Sequence, residues 1–478
     1  MAVAGPNSPS GTAAEIQKTV SALTARARAA QRLYERYNQE QVDEVVTAAG
    51  WAIVSPEHNG QLSELAVADT GLGNVADKIT KNRRKTMGLL RDLQGAKSVG
   101  VIAEYPDKGI VEIARPVGVV AAISPSTNPV ATAANMIMNA LKGRNAVVLS
   151  PSPKGYRSGA RLLDFIHAEL ARVNAPPDIV QMIAHPVSKE STAELMRQAD
   201  LVVATGSQSN VRAAYASGTP AIGVGVGNVV VIVDDTADPN QAATKIAASK
   251  TFDHATSCSS ENSLVILDAV YEDMVEALKH QGGALLSAAE KSQLQKTMWP
   301  NGRLSHQVTA RAAPSICQVA GLKRAELQSC RFLMVEETGS GKDFPFSGEK
   351  LAPVLTLYRA ADFDRACVQS RAILDYQGAG HSIGIHTQNN DHVLRLGLEM
   401  PVCRVIVNQG HAFATGGNFD NGLPFSLSMG CGTWGRNNIS DNLNYRHYLN
   451  ITRISRTIPP VEPTEQNLFG GYRAKFKL

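Results

Sequence analysis

The sequence predicts an α/β protein built on two doubly wound parallel sheets, with an additional arm of β-strands for oligomerisation. Two observations support the sheets: short, wholly apolar segments alternate with helical ones, and the alternation repeats in the second half of the 478 residues. A third observation predicts the arm, because two strand-like segments lie outside the alternation. At roughly 150 residues per domain, the length fits two large domains or three smaller ones.

The first part of the chain is predicted to be helical. Alanine, leucine and valine recur at three- and four-residue spacing across residues 12–49, and a second helical pattern covers residues 63–93. Residues 98–113 predict a hairpin, because two strand-like runs flank the turn sequence Pro-Asp-Lys-Gly at 106–109.

Apolar strands and helices alternate from residue 118 onward. The predicted strands cover 118–124, 146–149, 179–183, 201–204, 221–224, 229–233, 263–267, 352–358, 381–386 and 404–408. The predicted helices cover 129–141, 158–170, 239–249, 271–281 and 389–398. Residues 410–435 are rich in glycine and phenylalanine and predict a long functional loop. Residues 451–458 alternate apolar and polar residues, which predicts an exposed or partner-paired strand.

Composition excludes several classes of protein. Hydrophobic residues make up 44% and charged residues 19%, so the chain is not intrinsically disordered. Lys plus Arg (47) nearly balances Asp plus Glu (43), which predicts no nucleic-acid partner. No apolar run reaches the ~18 residues of a membrane helix, so no membrane partner is expected. The start shows no signal-peptide pattern, which predicts a cytoplasmic location.

The six cysteines form no C-x-x-C pair and predict free thiols in a reducing compartment. No metal site is expected, because His381 and His386 would face opposite sides of their predicted strand. The glycines at 223–227 lack the spacing of a dinucleotide fingerprint and predict a tight turn between strands.

The strongest candidate for chemistry is Cys258. It lies in a run of small polar residues, 250–263, directly before an apolar strand. Small neighbours permit close approach of a substrate and expose backbone N–H groups to an oxyanion, as a nucleophilic thiolate requires. From the residues alone, Cys258 could be either a nucleophile or a buried structural thiol.

Five segments in register resemble motifs of the aldehyde dehydrogenase superfamily, in its CoA-acylating branch. Residues 250–263 resemble the catalytic-cysteine motif and residues 116–129 the strand with its asparagine–proline turn. Residues 203–207 are similar to the cofactor-contacting turn, residues 347–355 to the glutamate motif, and residues 430–439 to the late glycine–tryptophan motif. The order and spacing match from about residue 15 to 460.

The resemblance implies roles for individual residues. Cys258 would be the nucleophile, and Asn128 would donate its amide to the oxyanion beside the Cys258 backbone N–H. Asn128 could instead, or also, cap the helix that starts at Pro129. Glu349 would hold the nicotinamide ribose. The implied cofactor-binding residues are Ser124, Pro125, Ser126, Ser150, Ser152, Lys154, Thr205, Gly206, Ser207, Gly225 and Glu349.

Two departures from the hydrolytic members of the family are informative. The stretch 224–230 has no carboxylate to activate water, so a thioester on Cys258 should await CoA, unless Asp253 or Glu261 serves as the base. Ser150 stands where the family has a lysine near the adenosine ribose. Lys154 and Arg157 could meet a 2′-phosphate, or form a solvated helix start, so NAD and NADP both stay open.

The expected activity is reversible, NAD(P)-dependent oxidation of a small aldehyde to its acyl-CoA. The C-terminal half resembles the group of these enzymes that acts on sulfoacetaldehyde. Acetaldehyde, other short aldehydes and succinate semialdehyde are alternatives, and a non-catalytic assembly protein is a more distant one. Four residues are candidate substrate ligands, although solvation of a loop explains the last three equally well: His254, His411, Thr415 and Asn418.

The expected partners are the small aldehyde, CoA and further copies of the chain in a homodimer or homotetramer. The predicted dinucleotide-binding domain comprises residues 1–97 and 117–228. Residues 229–440 form the predicted catalytic domain. Residues 98–116 and 441–478 form the predicted oligomerisation arm and C-terminal segment.

Overall fold

The structure, a computed structural model, describes residues 12–478, so residues 1–11 of the predicted first domain lie outside it. The strands are, in chain order, β1 (Gly100–Tyr105), β2 (Ile110–Pro116), β3 (Val119–Ser124), β4 (Ala146–Pro151), β5 (Val180–Met182), β6 (Leu201–Thr205), β7 (Ala221–Val224), β8 (Val229–Val233), β9 (Glu261–Leu267), β10 (Gly283–Leu285), β11 (Phe332–Glu336), β12 (Val354–Ala360), β13 (Ile383–His386), β14 (Val405–Val407) and β15 (Leu449–Ser455). The helices are α1 (Ala13–Tyr34), α2 (Gln39–Val54), α3 (Pro56–Thr70), α4 (Val75–Leu93), α5 (Ala131–Lys142), α6 (Tyr156–Arg172), α7 (Lys189–Gln198), α8 (Gln208–Ala216), α9 (Pro239–Thr251), α10 (Tyr271–His280), α11 (Ala288–Met298), α12 (Ala313–Ala320), α13 (Phe363–Tyr376), α14 (Asn390–Glu399), α15 (His411–Ala414) and α16 (Glu465–Phe476).

Two parallel sheets confirm the predicted fold class. The first has five strands in the order β5-β4-β3-β6-β7, and the second has seven in the order β10-β11-β12-β9-β8-β13-β14. Every pair within both sheets is parallel. Their central strands are buried along their whole length, because helices cover the strands on both faces.

A third, antiparallel sheet lies outside the alternation, as predicted. β1 and β2 form the hairpin, and β15 pairs with the other edge of β2. This sheet is largely exposed, and its surface carries apolar side chains such as Val101, Tyr105 and Ile454, which are 45%, 43% and 40% exposed. An exposed sheet with apolar side chains needs a covering partner.

The predicted N-terminal helices are each broken in two, which corrects the continuous patterns at 12–49 and 63–93. The first break precedes α2, where the side chain of Asn38 caps the new helix and Gln41 reciprocates. The second break contains Gly71 in the left-handed conformation that ends α3. Asn74 then caps α4. The apolar spacing continues across both breaks, so only the capping residues indicate where one helix ends and the next begins.

The segment 225–228 links the two parallel sheets, since β7 belongs to one and β8 to the other. The predicted tight turn at 223–227 is therefore wrong: position 223 lies within β7, and 225–228 form an irregular linker between the sheets. A Cβ at position 227 would lie 2.1 Å from the carbonyl oxygen of Cys258. Glycine is therefore required there because this segment passes directly against the backbone of Cys258.

Candidate active site

The predicted catalytic residues and most of the predicted cofactor-binding residues line one cavity of about 380 Å³. Its walls combine Ser124 and Thr205, at the carboxyl ends of β3 and β6, with Cys258 before β9 and Glu349 before β12. α4 contributes a further wall. β3 and β6 are neighbours at which the strand order reverses, and ligands of doubly wound sheets bind at such a point.

Cys258 follows a turn with an uncommon backbone conformation. Asp253, His254 and Ala255 have φ values of 50°, 51° and 58°, a left-handed region that such residues seldom adopt. Buried ion pairs hold this turn, because the Asp253 carboxylate lies 3.0 Å from Lys78 Nζ and 2.5 Å from Lys81 Nζ. The turn therefore fixes the direction from which the chain brings Cys258 to the cavity.

The thiol of Cys258 is protonated in this environment. Burial, and then the carboxyl group of Glu349, raise the pKa of Cys258 to about 12. Its Sγ lies 3.6 Å from Nε2 of His381. A thiol in this state needs a proton acceptor within reach before it can attack.

His381 is a site residue that the sequence analysis misplaced. We predicted it within a strand beginning at 381, but β13 begins at Ile383 and the His381 ring turns toward Cys258. Its Nδ1 lies 2.6 Å from Ser382 Oγ. When Nδ1 donates to that hydroxyl, Nε2 is an acceptor facing the thiol. Burial lowers the pKa of His381 well below its usual value, so the ring is neutral.

Arg404 holds the backbone of His381 in place. Its guanidinium donates to the carbonyl oxygens of His381 and Gly430 at 3.0 and 2.9 Å, and to Asn442 Oδ1 at 2.7 Å. It thereby ties the histidine to the glycine-rich segment at 430–439. Nothing in the local sequence predicts this contact, because its partners are distant along the chain.

Asn128 lines the cavity beside Cys258. Its Oδ1 accepts a hydrogen bond of 2.8 Å from Lys81 Nζ, so its amide N–H groups are left for a ligand. The alternative role as a helix cap is wrong: α5 begins at Ala131, and the cap residue Val130 makes no side-chain cap bond. Lys81 thus orients the amide that could donate to an oxyanion.

α4 also presents Arg84 and Lys85 to the cavity. Arg84 Nη2 donates to the carbonyl of Phe413 at 2.9 Å and to Asn418 Oδ1. Lys85 Nζ donates to the carbonyl of Gly416 at 2.7 Å. Burial, followed by the charges of Arg84 and Lys81, lowers the pKa of Lys85 to about 7, and the carboxylate of Asp92 opposes them.

Two orphaned polar atoms lie in the part of the cavity formed by the predicted cofactor-binding residues. Ser124 Oγ and Glu349 Oε1 are buried and have no hydrogen-bond partner among the described residues. Burial raises the pKa of Glu349 to about 8, although Lys250 and Lys350 oppose it. Such groups fit the hydroxyl-rich ribose of a dinucleotide. All of the predicted cofactor-binding residues line the cavity except Ser150 and Lys154.

Ser150 and Lys154 lie away from the cavity. Ser150 is buried, and its Oγ is 2.9 Å from Thr192 Oγ1. Lys154 is exposed. Arg157, the other candidate for a 2′-phosphate, faces Asp69 at 3.5 Å. This arrangement leaves the choice between NAD and NADP open.

The predicted substrate ligands of the long loop serve mainly as its scaffold. His411 and Thr415 are buried and contact each other, with Thr415 Oγ1 2.7 Å from His411 Nδ1. Asn418 is the partner of Arg84. None of the three lines the cavity, and neither does His254 in the turn before Cys258. Arg84 and Lys85, which were not among the predicted ligands, line the cavity.

No carboxylate besides Glu349 lines the cavity within residues 12–478. Asp253 is paired with lysines. Glu261 accepts from Ser249 Oγ at 2.6 Å and from the backbone N–H of His411 at 2.8 Å. Asp234 is buried against Thr387, Thr236 and His392. These groups are occupied by structural contacts.

Two further observations concern residues 12–478 as a whole. All six cysteines are free thiols, as predicted. No helix in this range has the length and apolar character needed to cross a bilayer.

Comparison with known proteins agrees with this site. Residues 7–297 match the model of the aldehyde dehydrogenase family. The chain is 61% identical over 470 residues to a sulfoacetaldehyde dehydrogenase (acylating) of Cupriavidus necator, with 98% of this chain and 95% of the relative covered. It is 40% identical to an enzyme of the same name from Bilophila wadsworthia, with 96% and 99% covered.

A solved structure extends the comparison to three dimensions. An acetylating aldehyde dehydrogenase from Geobacillus thermoglucosidasius superposes with a TM-score of 0.91 at 34% identity, covering 95% of this chain and 100% of that one. Family model, relatives and fold lead to the same conclusion. The chain belongs to the aldehyde dehydrogenase family.

Proposed function

We propose that this protein is a CoA-acylating aldehyde dehydrogenase that oxidises sulfoacetaldehyde to sulfoacetyl-CoA with a nicotinamide dinucleotide. The observation that carries the proposal is the position of Cys258 in a cavity shared with Asn128, Glu349 and the cationic face of α4. The relatives named for this reaction support it across nearly the whole chain.

The first step is the addition of the thiol to the aldehyde. The Cys258 sulfur forms a bond to the carbonyl carbon, and its proton passes to Nε2 of His381, 3.6 Å away. Burial disfavours an isolated charge on either group, so proton transfer accompanies attack, when the negative charge moves to the aldehyde oxygen. The Asn128 amide and the Cys258 backbone N–H then stabilise that oxyanion.

The cofactor side of the cavity completes the oxidation. A bound nicotinamide dinucleotide supplies the hydride acceptor. Ser124 Oγ and Glu349 Oε1 are the polar atoms free to bind and orient it, and Thr205, Gly206 and Ser207 line the wall beside them. The product on the protein is a thioester of Cys258.

The thioester is expected to wait for CoA. The carboxylates that could activate water elsewhere near the site are held by Lys78 and Lys81, or by Ser249 and the backbone. A positioned base contributes about 10²- to 10⁴-fold. The CoA thiolate therefore outcompetes water. Its sulfur bonds to the acyl carbon, the bond from that carbon to the Cys258 sulfur breaks, and the released sulfur takes back the proton from Nε2 of His381.

The substrate assignment rests on the relatives and on charge. Arg84 and Lys85 give the cavity a cationic wall, which favours an aldehyde that carries an anion. Succinate semialdehyde carries one too and is the second candidate. An uncharged short aldehyde would leave these cations without a partner.

We also propose the domain roles and the self-association of the chain. The five-stranded sheet lies within residues 117–228 and supports a dinucleotide-binding role, and the seven-stranded sheet lies within 229–440 and supports a catalytic one. The exposed sheet of β1, β2 and β15 supports pairing between subunits in a homodimer or homotetramer. Six free thiols support a cytoplasmic location.

The test is a panel of sulfoacetaldehyde, succinate semialdehyde and propionaldehyde, each assayed with NAD and NADP, with and without CoA. We expect sustained cofactor reduction with CoA and, without it, at most about one equivalent per site. Sulfoacetaldehyde should have the highest kcat/KM. Steady formation of free acid without CoA would overturn the acylating assignment, with Glu349 as the base to examine next.

A further inference from the structure

The charges along one face of α4 are not equivalent. Residues 78, 81 and 85 follow one another at three- and four-residue spacing on that face, and 84 is adjacent to it. Lys78 and Lys81 share the buried carboxylate of Asp253. Lys81 Nζ also contacts Asn128 Oδ1 and Thr256 Oγ1, at 2.8 and 2.9 Å. Its donors are therefore fully used within the protein.

Arg84 and Lys85 differ from these lysines in one respect. Neither forms an ion pair with any residue of the range 12–478. Their protein partners are neutral: the carbonyls of Phe413 and Gly416, and Asn418 Oδ1. Lys85 is buried and Arg84 is partly buried. A cation withdrawn from water without an anionic partner is costly, and proteins seldom retain one without a ligand to neutralise it.

Both side chains keep donors for such a ligand. Arg84 uses Nη2 for its protein contacts, and its Nε and Nη1 groups have no hydrogen-bond partner in the described part of the chain. Lys85 donates to Gly416 and, at 3.4 Å, to Gly417, which leaves one N–H. Phe413 flanks the guanidinium, with the Arg84 carbon 5.1 Å from the ring centroid.

We propose that Arg84 and Lys85 form the subsite that binds the anionic group of the aldehyde. This inference rests on the proposed function and adds the residues that recognise the substrate. A sulfonate offers three oxygen acceptors and one negative charge, which matches a planar donor pair beside an ammonium group. The helix rise separates the backbone of residues 84 and 85 from that of Lys81, which holds Asn128, by only ~4.5 to 6 Å. The subsite and the oxyanion donor therefore adjoin the same turn of α4, a separation suited to a two-carbon substrate.

Asn418 and its loop then have a role other than the predicted substrate contact. Asn418 accepts a hydrogen bond from Arg84 and so acts as a positioning residue for the guanidinium. His411 and Thr415 hold the loop that carries the Phe413 and Gly416 carbonyls. The loop thus positions Arg84 and Lys85, and these two side chains contact the substrate in the proposed subsite.

A first experiment needs no turnover. Iodoacetate and iodoacetamide alkylate the same thiol and differ in charge, so their rate ratio at Cys258, followed by mass spectrometry, reports the local anion affinity. We expect Arg84→Gln to lower the ratio by about 10- to 100-fold, the value of a charged hydrogen bond. Arg83→Gln is the matched control, because Arg83 is the exposed neighbour on the same helix. It should leave the ratio unchanged.

The second experiment is kinetic. Arg84→Gln should lower the ratio of kcat/KM for sulfoacetaldehyde over propionaldehyde by about 10- to 100-fold, mainly through KM, and Arg84→Lys should restore part of it. An unchanged alkylation ratio, or equal losses for both aldehydes, would overturn the subsite. A wild-type protein that oxidises no aldehyde would instead overturn the proposed function, whereas the alkylation ratio would still test the subsite.

Discussion

Replacement of Gly227 by alanine should inactivate the enzyme without unfolding it. The new Cβ would lie 2.1 Å from the carbonyl oxygen and 2.9 Å from the Cβ of Cys258, whereas ordinary contacts begin at 3.4 Å. Gly227 is not in the left-handed region, so alanine adds no backbone strain of its own. The effect is purely steric, and all three clashing atoms, the carbonyl oxygen, the carbonyl carbon and the Cβ, belong to the proposed nucleophile.

The size of the effect follows from the displacement that relieves the clash. The carbonyl of Cys258 is backbone and cannot rotate away, so the nucleophile or the segment 225–228 must move by about 1 Å. A misplacement of about 1 Å at a reacting centre can cost on the order of 100-fold in rate. We expect kcat/KM to fall by at least that factor.

The assay compares Gly227→Ala with Gly397→Ala. Gly397 lies in α14, and a Cβ there would meet nothing within 4 Å, so that variant should keep full activity. CoA-dependent reduction of the cofactor gives kcat/KM, and circular dichroism with a thermal melt checks the fold. A folded Gly227→Ala enzyme with activity near that of the wild type would refute the reasoning, because the linker would then not fix the position of Cys258.

Three further predictions concern the thiol, the cationic wall and the arm. Cys258→Ala should abolish thioester formation and dehydrogenation. Cys431→Ala removes a buried thiol outside the cavity lining and should retain both activities. Turnover by the Cys258→Ala variant would disprove the mechanism. The pKa of Lys85 is about 7, so above that pH Lys85 loses the proton that aids anion binding. The ratio of KM for sulfoacetaldehyde to KM for propionaldehyde should therefore rise by up to about tenfold per pH unit above 7. Lys85→Met should remove this pH dependence. Light scattering at micromolar concentration should give the mass of a multimer of the 50.9 kDa chain. Ile454→Glu, at an exposed position of β15, should lower that mass. A monomeric wild type would contradict the proposed pairing of subunits through the arm.

The sequence was most informative where one residue type dominates a segment. β8 was predicted with its observed bounds, 229–233. A short, uninterrupted apolar run between polar flanks indicates a buried parallel strand in an α/β chain. α7 and α8 were missed because their residues are largely polar and only a narrow face is buried. β10 and β11 were also missed, and the first of them is only three residues long.

Contacts between distant segments explain the errors at the site. α4 was expected as part of a helix, but its periodicity does not reveal that Arg84 faces the same cavity as Cys258. His381 was placed on a strand by its apolar neighbours, and its contact with a thiol 123 positions away has no local signature. The motif resemblance located Cys258, Asn128 and Glu349 because it rests on short segments whose order and spacing the fold preserves.

The protonated state of Cys258 has a consequence for oxidative stress. Hydrogen peroxide attacks the thiolate, so susceptibility to sulfenic acid formation follows the thiolate fraction. Burial and the Glu349 carboxyl group raise the pKa of Cys258 to about 12, so the thiolate is a minor species at neutral pH. The resting enzyme should therefore survive peroxide that inactivates enzymes with acidic thiols. Its vulnerability should be confined to the moments when a bound ligand draws the proton from the sulfur.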